Sequence, residues 1–80
     1  MPTVFKVGGF RFFFYSNEGD PREPAHIHIR SGKAVAKFWL RPEVSLAESQ
    51  GFDARTLNQL ARLVMQNRAV IERAWHEHFG

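Results

Sequence analysis

A chain of 80 residues has room for one domain with a small core. With 44% hydrophobic residues and eight Phe it is too apolar for a disordered chain, and without Cys it has no disulfide, no thiolate metal site and no cysteine nucleophile. The formal net charge of +3 and pI near 10.0 lean towards anionic partners such as RNA, DNA or an acidic protein.

No apolar run approaches the roughly 20 residues of a membrane span. The opening "MPTVFKVGGF" lacks the charged and apolar regions of a signal peptide. A single domain over residues 1–80, located in the cytoplasm and away from membranes, is the expectation. The chain has no repeat, no Walker loop, no dinucleotide glycine fingerprint and no G-x-S-x-G.

"TVFKV" (3–7) alternates as a strand does, Gly8-Gly9 is a tight turn, and "FRFFFY" (10–15) returns. Phe10, Phe12 and Phe14 share one face; Arg11, Phe13 and Tyr15 share the other. "SNEGDPREP" (16–24) cannot sustain a ladder and reads as a loop. Pro24 keeps Glu23 extended and leads straight into the strand "HIHIR" (26–30). Ser31-Gly32 turns, "KAVAKFWL" (33–40) returns, and "PEVSLAES" holds a short edge piece around residues 44–46.

From Gly51 onward the period changes to that of a helix. Asp53 is the expected N-cap, with Phe52 and Leu57 at the staple positions. Leu57, Leu60, Ala61, Val64, Ile71, Ala74 and Trp75 form one apolar stripe, interrupted at Asn67-Arg68. The expected fold is α+β: a small antiparallel sheet of about four to five strands over residues 3–46, packed on a helical region over 54–79. That region is either one long helix or two hinged ones.

His26, His28 and Arg30 fall on one face of their strand, aimed at water or a cleft, while Ile27 and Ile29 face the core. Three uses of the histidines remain open. They can bind a metal, which requires a third ligand from Glu18, Asp20, Glu23 or the "WHEHF" segment. His76 and His78, about 200° apart on a helix, cannot both serve one ion. They can divide acid and base roles at a phosphodiester, since imidazole ordinarily titrates near neutrality, with Arg30, Lys37 or Arg11 holding the phosphate. Or they are solvent-facing strand residues with local hydrogen bonds. No cofactor is expected.

The run "FRFFFYSNEGDPREPAHIHIR", then "AKFWL", then "GF" opening a helical region with "NR" and a terminal "W…HF", resembles the domain-of-unknown-function 4160 family of small bacterial and archaeal proteins. The likeness runs from Phe10 to Phe79. Its most specific part is "EPAHIHIR", where the family usually reads E-P-P-H-I-H-V; Ala25 and Ile29 are the departures. The matching positions are Glu23, Pro24, His26, His28, Lys37 and Trp39. Some members are labelled toxin components of type II toxin–antitoxin pairs. The resemblance therefore implies a toxin-like module neutralised by a cognate small antitoxin-like protein, and brings no mechanism with it. A non-catalytic module that docks a partner through its sheet edge or aromatic face is the alternative.

Overall fold

A computed structural model of the chain describes residues 3–16 and 23–80. The middle of the expected loop, residues 17–22, lies outside the described residues, and with it Glu18 and Asp20. Five antiparallel strands are laid down in sequence order: β1 (Thr3–Val7), β2 (Phe10–Phe13), β3 (His26–Ser31), β4 (Ala34–Trp39) and β5 (Ser45–Gln50). Two helices follow, α1 (Ala54–Gln66) and α2 (Arg68–Phe79).

The alternation of apolar residues chooses the covered face. Phe12, Phe14, Ile27, Ile29, Ala36, Phe38 and Leu40 meet Leu60, Val64, Ile71 and Trp75 from the helices in one buried cluster. Full burial of a side chain of this size stabilises by about 1.5–3 kcal/mol, so these contacts outweigh any other single class in the fold. The two-layer α+β arrangement expected from the sequence is the one observed.

Three local features follow from residue chemistry. Gly8 adopts φ +56° in the first turn, a conformation open to glycine at little cost. Asp53 caps α1, its Oδ1 accepting from the Thr56 N–H at 2.8 Å. Asn67 divides the helices: its side-chain amide donates to the Leu63 carbonyl at 2.8 Å and so competes with the regular ladder there. The helical region is therefore two helices hinged at Asn67.

The last strand is longer than its sequence pattern indicates. It reaches Gln50, where the alternation predicts an edge piece near 44–46. A bulge opposite Lys37 and Phe38 breaks its alternation, and nearly all its residues are exposed. An edge strand with little apolar content carries a weak signal.

A polar clamp fastens α2 to the segment after β4. Glu72 pairs with Arg68 at 2.9 Å and with Arg41, and Arg68 also donates to the Pro42 carbonyl. Burial pushes the Glu72 carboxyl up, but hydrogen bonds and charge from Arg68 and Arg41 outweigh it and hold the group below its ordinary value of 4.5. Asp53 is held low as well, by its hydrogen bonds to Thr56.

Both carboxyls have folded pKa values below their unfolded ones. Their stabilisation is therefore present above the unfolded value and lost as pH falls through the folded one. Thermal midpoints followed by circular dichroism should be level between about pH 7 and 5 and drop below about pH 4.5. Glu72→Gln should lower the midpoint at neutral pH and make the acid drop shallower.

Gly51 offers a second check. Its φ is +92°, and a Cβ there would lie 3.1 Å from both Cα and Cβ of Ala34. Gly32 has φ +60° with open space around it. Gly51→Ala should cost about 1–3 kcal/mol of unfolding free energy, more than Gly32→Ala, because only the former adds a clash to the backbone strain.

Candidate functional site

The helices cover one face of the sheet. The other face carries the expected site residues in cross-strand rows. One row reads Phe13, His28, Lys37, Glu48 from β2 to β5. The next towards the β3–β4 turn reads Lys6, Arg11, Arg30, Val35, Gln50 across all five strands. His26 and Trp39 stand opposite each other at the other end.

Tyr15, His28, Arg30, Lys37, Glu48 and Gln50 line an open groove of about 400 Å³ on this face. Its two lining rings, Tyr15 and His28, pack on Phe13. Phe13 is only 1% exposed although it lies outside the helix-covered core. The His28 ring stacks on it at 5.7 Å, the Tyr15 edge meets it at 5.2 Å, and the Arg11 guanidinium lies over it at 4.7 Å. Tyr15 packs against His28 as well, ring centroids 4.6 Å apart. His28 is thus held between two rings while remaining partly open to the groove.

The two histidines are not equivalent. Alternation aims both away from the core, yet His26 is 0% exposed. Trp39 and Trp75 close over it, with ring centroids at 5.5 and 4.9 Å, and His28 lies at 5.2 Å. Its Nδ1 is 2.9 Å from the Pro24 carbonyl. The expectation that His26 faces water or a cleft is corrected. Alternation identifies a face, but α2 reaches past the sheet at this end and brings Trp75 over the first residue of β3. Since a carbonyl oxygen can only accept, Nδ1 carries the proton and donates it to Pro24. His26 does not line the groove, but its ring packs edge-on against that of His28, which does.

The cations are also differentiated. Lys37 pairs with Glu23 at 3.3 Å and lies 4.4 Å above the Trp39 ring, so both matched positions Glu23 and Trp39 serve to place the ammonium. Arg11 donates from Nε to the Thr3 hydroxyl at 3.0 Å. Arg30 and Lys6 are exposed. Pro24 fixes the carbonyl that His26 uses. Lys6, Tyr15 and Glu48 are the site residues that motif reading overlooks. The Gly8-Gly9 turn contains the signal for Lys6, since a two-residue turn sets Val7 opposite Phe10 and Lys6 opposite Arg11.

Among the described residues no group of three or more His, Cys, Asp or Glu side chains could hold a metal ion. His76 and His78 are exposed on the last turns of α2, and the His78 ring stacks at 6.4 Å on Phe14. No described helix is long and apolar enough to cross a membrane.

A sheet backed on one side by two helices, with a groove lined by Tyr15 and His28 on its bare side, defines a small α+β protein. The chain belongs to the family described as Domain of unknown function (DUF4160), whose model matches residues 9–76. No curated protein and no solved structure matches it.

The unequal histidines give a direct check. His26→Ala removes a buried ring and its hydrogen bond and should cost about 2–4 kcal/mol in urea unfolding. His28→Ala should cost about 1 kcal/mol, because its ring is partly solvated already.

Proposed function

We propose that this protein is a toxin-like bacterial effector that acts on RNA through the groove around His28. The observation that carries this reading is a partly open imidazole, clamped between Phe13 and Tyr15, with Arg30 and Lys37 at the same groove. Guanidinium and ammonium groups beside an imidazole suit a phosphodiester: the cations hold the phosphate oxygens and the ring handles a proton. The basic charge balance supports the same reading.

In this mechanism neutral His28 takes the proton from a ribose 2′-hydroxyl. The 2′-oxygen attacks phosphorus, the bond from phosphorus to the 5′-oxygen breaks, and a 2′,3′-cyclic phosphate forms. Water in the open groove protonates the departing 5′-oxygen, and His28 returns its proton to solvent. Lys37 and Arg30 neutralise charge gathering on the phosphoryl oxygens. His26 is a positioning residue rather than the second half of an acid/base pair, since it is fully buried.

A second reading rests on the sheet edge. The β5 strand is exposed along most of its length, with Leu46 44% exposed, so a partner strand could pair with it. A cognate antitoxin-like protein docked there would also roof the groove, because Glu48 and Gln50 belong to both.

Induced expression in a bacterium tests the main reading. The wild type should arrest growth, and purified protein should leave cyclic-phosphate ends on RNA. His28→Ala should lower the cleavage rate at least 100-fold, the scale of a lost general base, with the circular dichroism spectrum unchanged. Equal growth arrest by a folded His28→Ala protein would end the proposed chemistry.

A further inference from the structure

The cross-strand row beside the groove has a property that no motif displays. Lys6, Arg11 and Arg30 stand directly opposite one another on three adjacent strands, and Val35 and Gln50 complete the row. No carboxylate stands in it. Like charges in directly opposed positions destabilise a sheet, so this arrangement works against folding unless an anion lies along it. Strands are about 4.8 Å apart, which gives the row a length of about 10 Å from Lys6 to Arg30.

Arg11 at the centre is preset. Its Nε is bound to Thr3 and its guanidinium plane rests on Phe13, leaving its terminal N–H groups for a ligand. Lys6 and Arg30 on either side are exposed. The row runs into the groove at Arg30, where Tyr15, 36% exposed, is also part of the lining.

We infer that the Lys6–Arg11–Arg30 row is a track for the phosphodiester backbone of single-stranded RNA, with Tyr15 as a stacking surface for an unpaired base. This rests on the reading of the His28 groove as an RNA site. A point anion such as free phosphate would need one or two of these cations, whereas three in line match successive charges of a polymer. A duplex keeps its bases stacked on each other and cannot use Tyr15; a single strand can splay one onto the ring. The remaining groove groups, Ser49 and Gln50, provide hydrogen-bonding partners for base edges. The helices pack on the opposite face, and where Trp75 closes over His26 it does so at the other end of β3 from Arg30.

Fluorescence anisotropy with a labelled single-stranded RNA of about 12 nucleotides tests the track, at a length within the usual site size for such surfaces. Binding is read in the His28→Ala protein, so that the strand stays intact and affinity is separated from cleavage. Lys6→Thr/Arg30→Thr should weaken binding at least tenfold and reduce the salt slope by about one for each lost phosphate contact. Arg55→Gln/Arg62→Gln removes the same charge from exposed positions on α1 and should change affinity less than about twofold. Tyr15→Ala should weaken binding at least about fivefold. The same sequence as a duplex, or as DNA, should bind more weakly than the RNA strand.

Because opposed like charges are removed, the Lys6→Thr/Arg30→Thr protein should melt no lower than its parent. Equal losses from the two charge-removing pairs would reduce the track to diffuse attraction and overturn it. Equal affinity for duplex or DNA would overturn the choice of single-stranded RNA. Absence of binding at 100 μM RNA, a concentration where even weak nonspecific binding registers, would overturn it outright. If the track holds while His28→Ala still arrests growth, the binding site stands and the cleavage mechanism falls.

Discussion

Ile27 and Ile29 sit on the middle strand of five and are inaccessible to solvent. Their contact with the helical layer sets the rest of the molecule. Two short helices can cover one face of a five-stranded sheet and no more. Once those isoleucines go under the helices, strand pleating sends His28 and Arg30 to the opposite side. Neighbouring strands repeat the same choice in register, so Phe13, Lys37 and Glu48 come out beside His28. The candidate site is the complement of the core.

The bare face is nevertheless not simply a wet one. Phe13 is as buried there as core residues are on the other side, and it is covered by Arg11 and by Tyr15 and His28 of the groove. Arg11, Tyr15 and His28 therefore have two tasks. Their apolar parts shield a phenyl ring and their polar parts meet solvent. This coupling holds the His28 ring between Phe13 and Tyr15 on the face that the helical layer leaves bare.

Much of this was legible in the residues. The alternation in "FRFFFY" and "HIHIR" identified both faces, and Asp53 marked the start of the first helix. The spacing of Leu57, Leu60 and Val64 identified the stripe that packs on the sheet. Other features depend on pairing across the chain, and local pattern carries little of that. The burial of His26 comes from Trp75, 49 positions later in the sequence. The cation row exists only once three strands are aligned. The interruption of the apolar stripe at Asn67-Arg68 leaves one helix or two open, and the hinge is decided by a competition between a side-chain amide and a backbone ladder. The extent of β5 was hidden by its bulge and its polar, exposed residues.

The clamp at Glu72 and the ring of Trp75 are three residues apart on α2, about one helical turn. Arg41 and Arg68 hold that turn from one side, and His26 receives its ring from the other. The segment after β4 is thereby joined, through a single turn of helix, to the ring that packs beside His28. Arg41 is a surface residue by exposure and lies on no groove wall. Through Glu72 it is nevertheless one anchor of the helical turn whose Trp75 ring closes over His26.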